Sequence, residues 1–359
     1  MRVLITGGAG MVGSHTAEYY AQKRNDVVIL DNLMRSQLFA YDKASVEYNW
    51  NYLADFKNIK RIRGDVRNEK DVLCALGDGV DVIVHTAGQP GVGFSIDNPS
   101  EDYSINAQGT FTVLECVRKV CPKATFVYCS TNKVYGENVS TVALKEQTKR
   151  YEFDRISGIA ETMSIDRCGH TPYGISKLMG DLYAQEYAYS YGLKVGVFRM
   201  SCIYGTRQFG FEDQGWIAWF IIAALFGKPI TIYGDGKQVR DVLYVGDLIQ
   251  AYDKFINSDI KSAVFNVGGG AANTLSLLEF VDILEEMLGK KIPLRFADWR
   301  LSDQKVYISD LSKITSELSW CPQVGVREGI EKVKNWVSAH KDFFVCEGTP
   351  VTAVGSTQK

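Results

Sequence analysis

Histidine is scarce in this sequence, with four in 359 residues, and no two cysteines form a Cys-x-x-Cys pair. The eight cysteines, Cys74, Cys116, Cys121, Cys129, Cys168, Cys202, Cys321 and Cys346, are scattered. That pattern argues against a structural zinc site and reads as reduced thiols, mostly buried, in a cytoplasmic protein; no metal is expected. Long hydrophobic runs are missing too. The most apolar stretch, Trp216 to Phe226, is too short to span a bilayer. Met1 to Thr6 runs straight into a strand and a glycine turn, which leaves no room for a signal peptide. Neither sign of charge dominates: 40 Lys and Arg against 42 Asp and Glu give a formal net charge of -2. No nucleic acid and no acidic membrane surface is therefore expected as a partner. A phosphorylated ligand stays open, since a few placed arginines suffice for one.

What is present is ordinary globular composition, 46% hydrophobic and 23% charged, at a length that suits one large or two modest domains. Short apolar runs alternate with helical periodicity. Val3-Leu4-Ile5, Val27 to Leu30, Val82-Ile83-Val84, Phe126-Val127-Tyr128 and Val195 to Phe198 read as buried strands. Met11–Lys23, Tyr103–Val120 and Tyr173–Tyr191 read as helices. Repeated βαβ units predict an α/β fold, a Rossmann-type doubly wound parallel sheet. After about Tyr204 the rhythm changes. Ile230–Tyr233, Ala263–Asn266 and Ile292–Arg295 are short strands, with helices near 245–256, 275–288, 311–318 and 327–338. These predict a smaller C-terminal α/β substrate lobe. Residues 1–204 then form the dinucleotide-binding domain, to which some later segments return. Residues 205–340 form mainly the second lobe, interleaved with the first, and 346–359 a flexible tail.

Gly7-Gly8-Ala9-Gly10-Met11-Val12-Gly13 lies between the first strand and the first helix. Its glycines let a pyrophosphate approach the backbone N–H groups of a helix N-terminus; the alternative is an ordinary glycine turn. Asp31 ends the second strand, about 20 residues on, where a carboxylate accepts bonds from ribose hydroxyls and repels a 2′-phosphate. NAD is favoured over NADP, although Arg35 keeps NADP open. Asp65 follows the third strand and suits either adenine or a helix cap. His85, ending the fourth strand, reads as structural.

Tyr173 and Lys177 are four apart behind Pro172, so they share one face at a helix start. A free tyrosine is a poor base at neutral pH; an ammonium and a positive nicotinamide beside it favour phenolate. Tyr173 then suits proton exchange with a sugar hydroxyl during hydride transfer. Such a pair also arises on plain solvated helices. Here it is accompanied by Ser130-Thr131-Asn132-Lys133 at the end of the fifth strand, where the Thr131 hydroxyl can bridge substrate and tyrosine.

Gly7/Gly10/Gly13, Asp31, Asn106 in Asn106-Ala107-Gln108-Gly109-Thr110, Thr131 and Tyr173/Lys177 together resemble the extended short-chain dehydrogenase/reductase (NAD-dependent epimerase/dehydratase) family, from Met1 to about Ser338. The resemblance implies NAD in the Rossmann domain, a sugar nucleotide in the second lobe, and Thr131, Tyr173 and Lys177 as the catalytic triad. Dehydratases of the family usually carry an Asp-Glu pair after the threonine. Asn132-Lys133 cannot supply that acid and base, so dehydration is disfavoured. Ser130 to Gly136, Arg207-Gln208-Phe209, Asp213 to Trp216, Gly236 to Leu243, Ser302-Asp303-Gln304 and the insert between Gly136 and Tyr173 are similar to the branch of CDP-tyvelose (CDP-paratose) 2-epimerases. That branch implies inversion at C2 of a CDP-linked deoxysugar, in deoxysugar and lipopolysaccharide O-antigen synthesis.

Taken together, these residues place NAD against Gly7, Gly10, Met11, Val12, Gly13, Asp31, Asn32, Arg35, Asp65, Val66, Ala87, Gly88, Asn106, Tyr173 and Lys177. They place the sugar nucleotide against Gln89, Ser95, Thr131, Asn132, Lys133, Cys202, Arg207, Gln208, Gln214, Arg240 and Arg300. Arg240 and Arg300 are diphosphate candidates, with structural ion pairing as the alternative. Gln89 and Ser95 suit the sugar or loop-stabilising hydrogen bonds equally. Cys202 reads as a buried, inert thiol at a position where relatives carry a more polar residue. The competing activities are 4-epimerisation, decarboxylation or net reduction of a nucleotide sugar; a non-catalytic NAD-binding protein has no use for the complete triad. Tyr, Phe and Ala on several faces of the Tyr103–Val120 and Tyr173–Tyr191 helices fit the family's homodimer or homotetramer interface, or burial within the monomer.

Overall fold

Strands that are apolar at nearly every position must be covered on both faces, and the central strands of this sheet are. In a computed structural model that describes residues 1–38 and 43–344, seven strands form one parallel sheet: β1 (Arg2–Thr6), β2 (Asp26–Asp31), β3 (Ile59–Arg63), β4 (Val82–His85), β5 (Thr125–Thr131), β6 (Lys194–Met200) and β7 (Ser262–Val267). Their spatial order is β7-β6-β5-β4-β1-β2-β3. Alternation sends Val3 and Ile5 to one core, with Ile29, Phe198 and Phe255, and Leu4 to the other, with Val28, Ile83 and Phe126. Strand order reverses between β1 and β4, so the loops after these strands part and leave a crevice at their carboxyl ends. The tail expected at 346–359 lies outside the described residues.

Three elements differ from expectation. The run at 263–266, assigned to the second lobe, is β7 and pairs with β6 from Ser262↔Val195 to Val267↔Met200. A short apolar strand carries no local mark of its sheet; here Phe265 and Val267 complete the core under Phe198. The strand expected at 292–295 lies at Leu294–Ala297 and pairs with Ile230–Tyr233, while Ile292 is buried beside it. The helix expected at 103–120 is broken: Ser104–Gln108 is a π-turn that leads into the Gly109–Val120 helix.

In the second lobe, Val239–Tyr244 pairs with Cys202–Tyr204, Thr274–Ser276 and Val306–Tyr307. The apolar stretch at 216 becomes the ten-residue helix Trp216–Leu225, buried there through Ile217, Phe220 and Ile221. Among the described residues no helix is long and apolar enough to cross a membrane. The insert after Gly136 bridges the lobes. Tyr151 N–H donates to the Lys237 carbonyl (2.9 Å) and Ile159 N–H to that of Ile308 (2.7 Å). Its Val139, Tyr151, Phe153 and Ile159 share a core with Val239, Val306 and Tyr307. The thiols are less buried than expected: Cys116, Cys121 and Cys129 are enclosed, Cys168 and Cys202 partly so, and Cys74 and Cys321 are exposed.

One buried ion pair fastens the long Pro172–Tyr191 helix to the sheet. Asp181, fully enclosed, accepts from Arg199 Nε (2.9 Å) and Nη2 (3.1 Å), from Ser130 Oγ on β5 (2.6 Å) and from Gln185 (2.6 Å). Arg199 Nη1 continues to the Tyr135 hydroxyl, which donates to Asn266 on β7 (2.7 Å). Removing one partner strands a charge in the interior. Asp181→Ala is expected to cost about 3–5 kcal/mol in a denaturant titration, and Asp181→Leu combined with Arg199→Met much less.

Candidate active site

The crevice at the sheet reversal is a groove of about 1520 Å³ including its open mouth. Its floor is the loop after β1. Gly7 takes φ +70°, and a Cβ there would stand 2.6 Å from Ala87 N and 2.7 Å from Ala87 Cα. A Cβ at Gly13 would collide with the Gly7 carbonyl. The loop thus closes on itself with Gly10 N–H on the Gly7 carbonyl (3.0 Å), and the Met11–Gln22 helix starts facing the groove with its first N–H groups unspent. Gly10, Met11, Val12, Asn32, Val66, Ala87 and Gly88 line the walls. Asp31 joins loop and groove: Oδ2 accepts from Ala9 N–H (2.9 Å) and Oδ1 from Leu33 N–H (2.8 Å). Burial, with Asp65 opposite, raises its pKa despite those two bonds. Asp65 also lines the groove, gripped by Arg67 (2.8 Å) and Asn32 (2.9 Å). It is not the helix cap; Asn68 is, accepting from Lys70 N–H. This glycine cradle, its helix terminus and a carboxylate at the end of β2 fit a dinucleotide.

At the inner end of the groove stand Tyr173 and Lys177. Thr171 caps their helix through Gly174 N–H (3.2 Å), and Pro172 starts it. The Lys177 ammonium lies 4.4 Å from the centroid of the Tyr128 ring, and the Tyr128 hydroxyl donates to the Lys177 carbonyl. Burial pushes Lys177 down to about 8, partly offset by Cys129, Asp181 and Asp102. Burial pushes Tyr173 up to about 12; a hydrogen bond with Thr131 opposes the rise and the charge of Asp102 adds to it. The sequence led to a lowered phenol beside its lysine. In the free chain desolvation wins, and lowering the phenol is left to the positive charge of a bound nicotinamide.

Several residues stand elsewhere than expected. Asn106 does not line the groove. Its amide donates to the Gln89 carbonyl, Asp102 and Ser176, and its Oδ1 accepts from Gln89 N–H (2.8 Å), so it braces the loop after β4 against the Tyr173 helix. Ser95, expected at the sugar, is buried and accepts from Tyr173 N–H (3.0 Å). The Gln89 amide donates to Gly91 and Asp102. Arg207, Gln208 and Gln214, also expected at the sugar, line the dinucleotide groove. Arg207 pairs with Glu18 (2.8 Å) over the Tyr52 ring, and Arg35 donates to Gln214 (2.7 Å). His85 is structural as expected: burial pushes it down to about 3, between Thr6 and Thr110.

The remaining substrate candidates gather on the second lobe's side. Thr131 donates to Asn132 Oδ1 (3.3 Å). Lys133 Nζ donates to the Ser302 carbonyl (3.4 Å). Arg240 Nη2 holds Asp303 (2.5 Å), and Arg300, stacked on Tyr233, holds Asp213 (2.8 Å). The Cys202 thiol accepts from Trp216 Nε1 (3.5 Å) and is raised by burial, as suits an unreactive thiol. Asp102 was missed. It is fully buried, accepts from Gln89 and Asn106 through Oδ1, and its charge acts on both Tyr173 and Lys177. In sequence it reads as an acid in a helix's first turn; only its position four before Asn106 hinted at a shared role.

Gly7→Ala forces a left-handed alanine and drives its methyl into the Ala87 backbone. The variant is expected to melt lower and to bind NAD at least about tenfold more weakly, as read by thermal unfolding and fluorescence titration.

The signature of the NAD dependent epimerase/dehydratase family matches residues 3–268. The CDP-paratose 2-epimerase of Salmonella typhi is 38% identical over 349 residues, spanning 94% of this chain and all of that protein. A putative UDP-glucose 4-epimerase of Methanocaldococcus jannaschii is 32% identical, over 93% of this chain and 98% of its own length. The crystal structure of the UDP-glucuronic acid 4-epimerase of Bacillus cereus, solved with UDP-glucuronic acid and NAD, superimposes with a TM-score of 0.78 at 26% identity, over 95% of this chain and all of that one. The glycine cradle, Asp31, Thr131 and the Tyr-x-x-x-Lys helix thus stand on a fold shared with that epimerase, and the chain belongs to the NAD dependent epimerase/dehydratase family as an NAD-dependent enzyme.

Proposed function

We propose that the chain inverts C2 of a CDP-linked deoxyhexose. The observation that carries this is the pair beside Thr131. Asn132 is buried and shares a hydrogen bond with Thr131, and Lys133 follows it, so the carboxyl pair that dehydratases use to eliminate water is replaced by an amide and a cation. The similarity to the CDP-paratose 2-epimerase supports the sugar and the carbon. NAD, when bound, accepts a hydride from the sugar carbon and returns it. Tyr173 takes the hydroxyl proton as that hydride leaves and gives it back after the keto sugar has turned its other face. Thr131 holds the same oxygen, and Lys177, charged below about pH 8, adds its positive charge to that of the nicotinamide in favouring phenolate. Asn106 and Ser95 hold the Tyr173 helix in place from outside the groove.

The experiment is a screen of CDP-, UDP-, GDP- and dTDP-sugars in deuterated water with NMR analysis. Inversion at C2 of a CDP sugar without solvent deuterium at that carbon and without accumulated reduced cofactor is expected. A keto product, or net cofactor reduction, sinks the reading. Tyr173→Phe should lower kcat by about 10²–10⁴-fold with NAD still bound.

The pH dependence follows from Lys177. Its pKa is down at about 8, so it is charged below that pH and neutral above it. The rate is expected to fall as pH rises through about 8. Lys177→Arg stays charged and should lose that alkaline limb.

We also propose a homodimer through the Gly109–Val120 and Pro172–Tyr191 helices. Phe111, Leu182, Tyr183 and Tyr189 stand exposed there, against burial within the monomer. Leu182→Glu is expected to halve the mass seen by light scattering.

A further inference from the structure

We propose that Lys133 selects the carbon to be inverted, by holding the sugar's anomeric phosphate against the catalytic wall. This rests on the reading of the chain as an epimerase of nucleoside-diphosphate sugars.

Lys133 spans the catalytic wall and the second lobe. Its backbone belongs to the catalytic wall: its N–H donates to Thr131 Oγ1 (3.3 Å), and its carbonyl lies against the first turn of the Tyr173 helix, where a Cβ at Gly174 would stand 2.9 Å from it. Its side chain reaches from that wall to the second lobe. There Nζ has a single hydrogen bond among the described residues, to the Ser302 carbonyl, and that bond is long at 3.4 Å. The charged groups that act on it are Arg240 and Asp303, with the Cys202 thiol beside them. Arg240 is mostly spent, on the Val239 carbonyl (2.8 Å) and on Asp303 (2.5 Å). Two cations against one carboxylate leave a positive surplus, and the ammonium keeps donors to spare. Burial, with Arg240 second, lowers Lys133 to about 8, and the negative charge of an arriving anion opposes both.

The chemistry of the sugar gives that surplus a direction. C2 is bonded to the anomeric carbon, which carries the phosphate, whereas C4 lies across the ring. A sugar that presents its C2 hydroxyl to Thr131 and Tyr173 must therefore bring its phosphate up to the same wall. A sugar that presents C4 sends its phosphate away from it. A cation two positions after Thr131 stabilises the first pose and does nothing for the second. The identity of the cation fits as well. The keto sugar has to turn over while still held. An ammonium is a point charge with rotating donors, so a phosphate can swivel on it, whereas a guanidinium fork fixes phosphate in a plane.

The test uses the NAD-loaded full chain and its variants Lys133→Met and Lys133→Arg, with CDP and CMP as calorimetric probes and UDP and UMP beside them. Lys133→Met should keep the wild-type melting temperature and its NAD. It should bind CDP at least about tenfold more weakly while CMP affinity stays put, because CMP lacks the phosphate next to the sugar. Inversion at C2 should slow in kcat as well as in KM, and Lys133→Arg should recover most of the CDP affinity but less of kcat. A folded Lys133→Met protein that binds CDP and inverts C2 like the wild type overturns the proposal. Failure of the underlying reading looks different: the wild type itself then inverts C4. If the base is uracil, the same contrast is read from UDP against UMP.

Discussion

The site depends on a carboxylate and a guanidinium that meet where water does not reach. Asp181 projects from the Pro172–Tyr191 helix one turn beyond Lys177, and Arg199 projects from β6. Their contact also takes in Ser130 on β5, next to Thr131. The helix that carries the proton-handling pair is thereby pinned to the strand that carries its threonine. A buried ion pair is a poor source of net stability, since desolvation consumes most of the Coulomb gain. Its value here is in placement: any sliding of the helix along the sheet would leave two charges unpaired, so helix and strand keep one register.

The same low-polarity surroundings set the chemistry. Burial is the leading cause of the shift at Tyr173, Lys177 and Lys133, and it pushes each toward its neutral form. In the free chain Tyr173 is therefore neutral, and the two lysines keep their charge only up to about pH 8. The ligands push the other way: a positive nicotinamide favours the Tyr173 phenolate, and a diphosphate favours the ammonium of Lys133. Groups held in this way respond most when both ligands are bound, which suits an enzyme that must not release a half-processed sugar.

Much of this was legible from local pattern. The strand–glycine–helix junction at Gly7 to Gly13, the carboxylate at the end of β2 and the Tyr173/Lys177 pair each follow from covalent geometry within a few residues. Most of the residues expected at the cofactor do line one groove. Asn106, Ser95 and Gln89 could not be placed from sequence, because a polar side chain in a loop has many partners within reach. Which one it takes depends on how β4, the π-turn at Ser104–Gln108 and the Tyr173 helix converge. Arg207 shows the same limit: its guanidinium reads as a sugar-nucleotide contact until Glu18, from the Met11–Gln22 helix, is seen against it.

Sequence was enough for the alternation of strand and helix, the glycine cradle and the placing of Tyr173 and Lys177 on one helix face, since these rest on spacing along one chain segment. It could not give the sheet to which Ser262–Val267 belongs, the buried Asp102 beside Tyr173 and Lys177, or the meeting of Lys133 with Arg240 and Asp303. Those relations join residues far apart in the chain, and they exist only once burial has fixed which charged groups must face one another out of water.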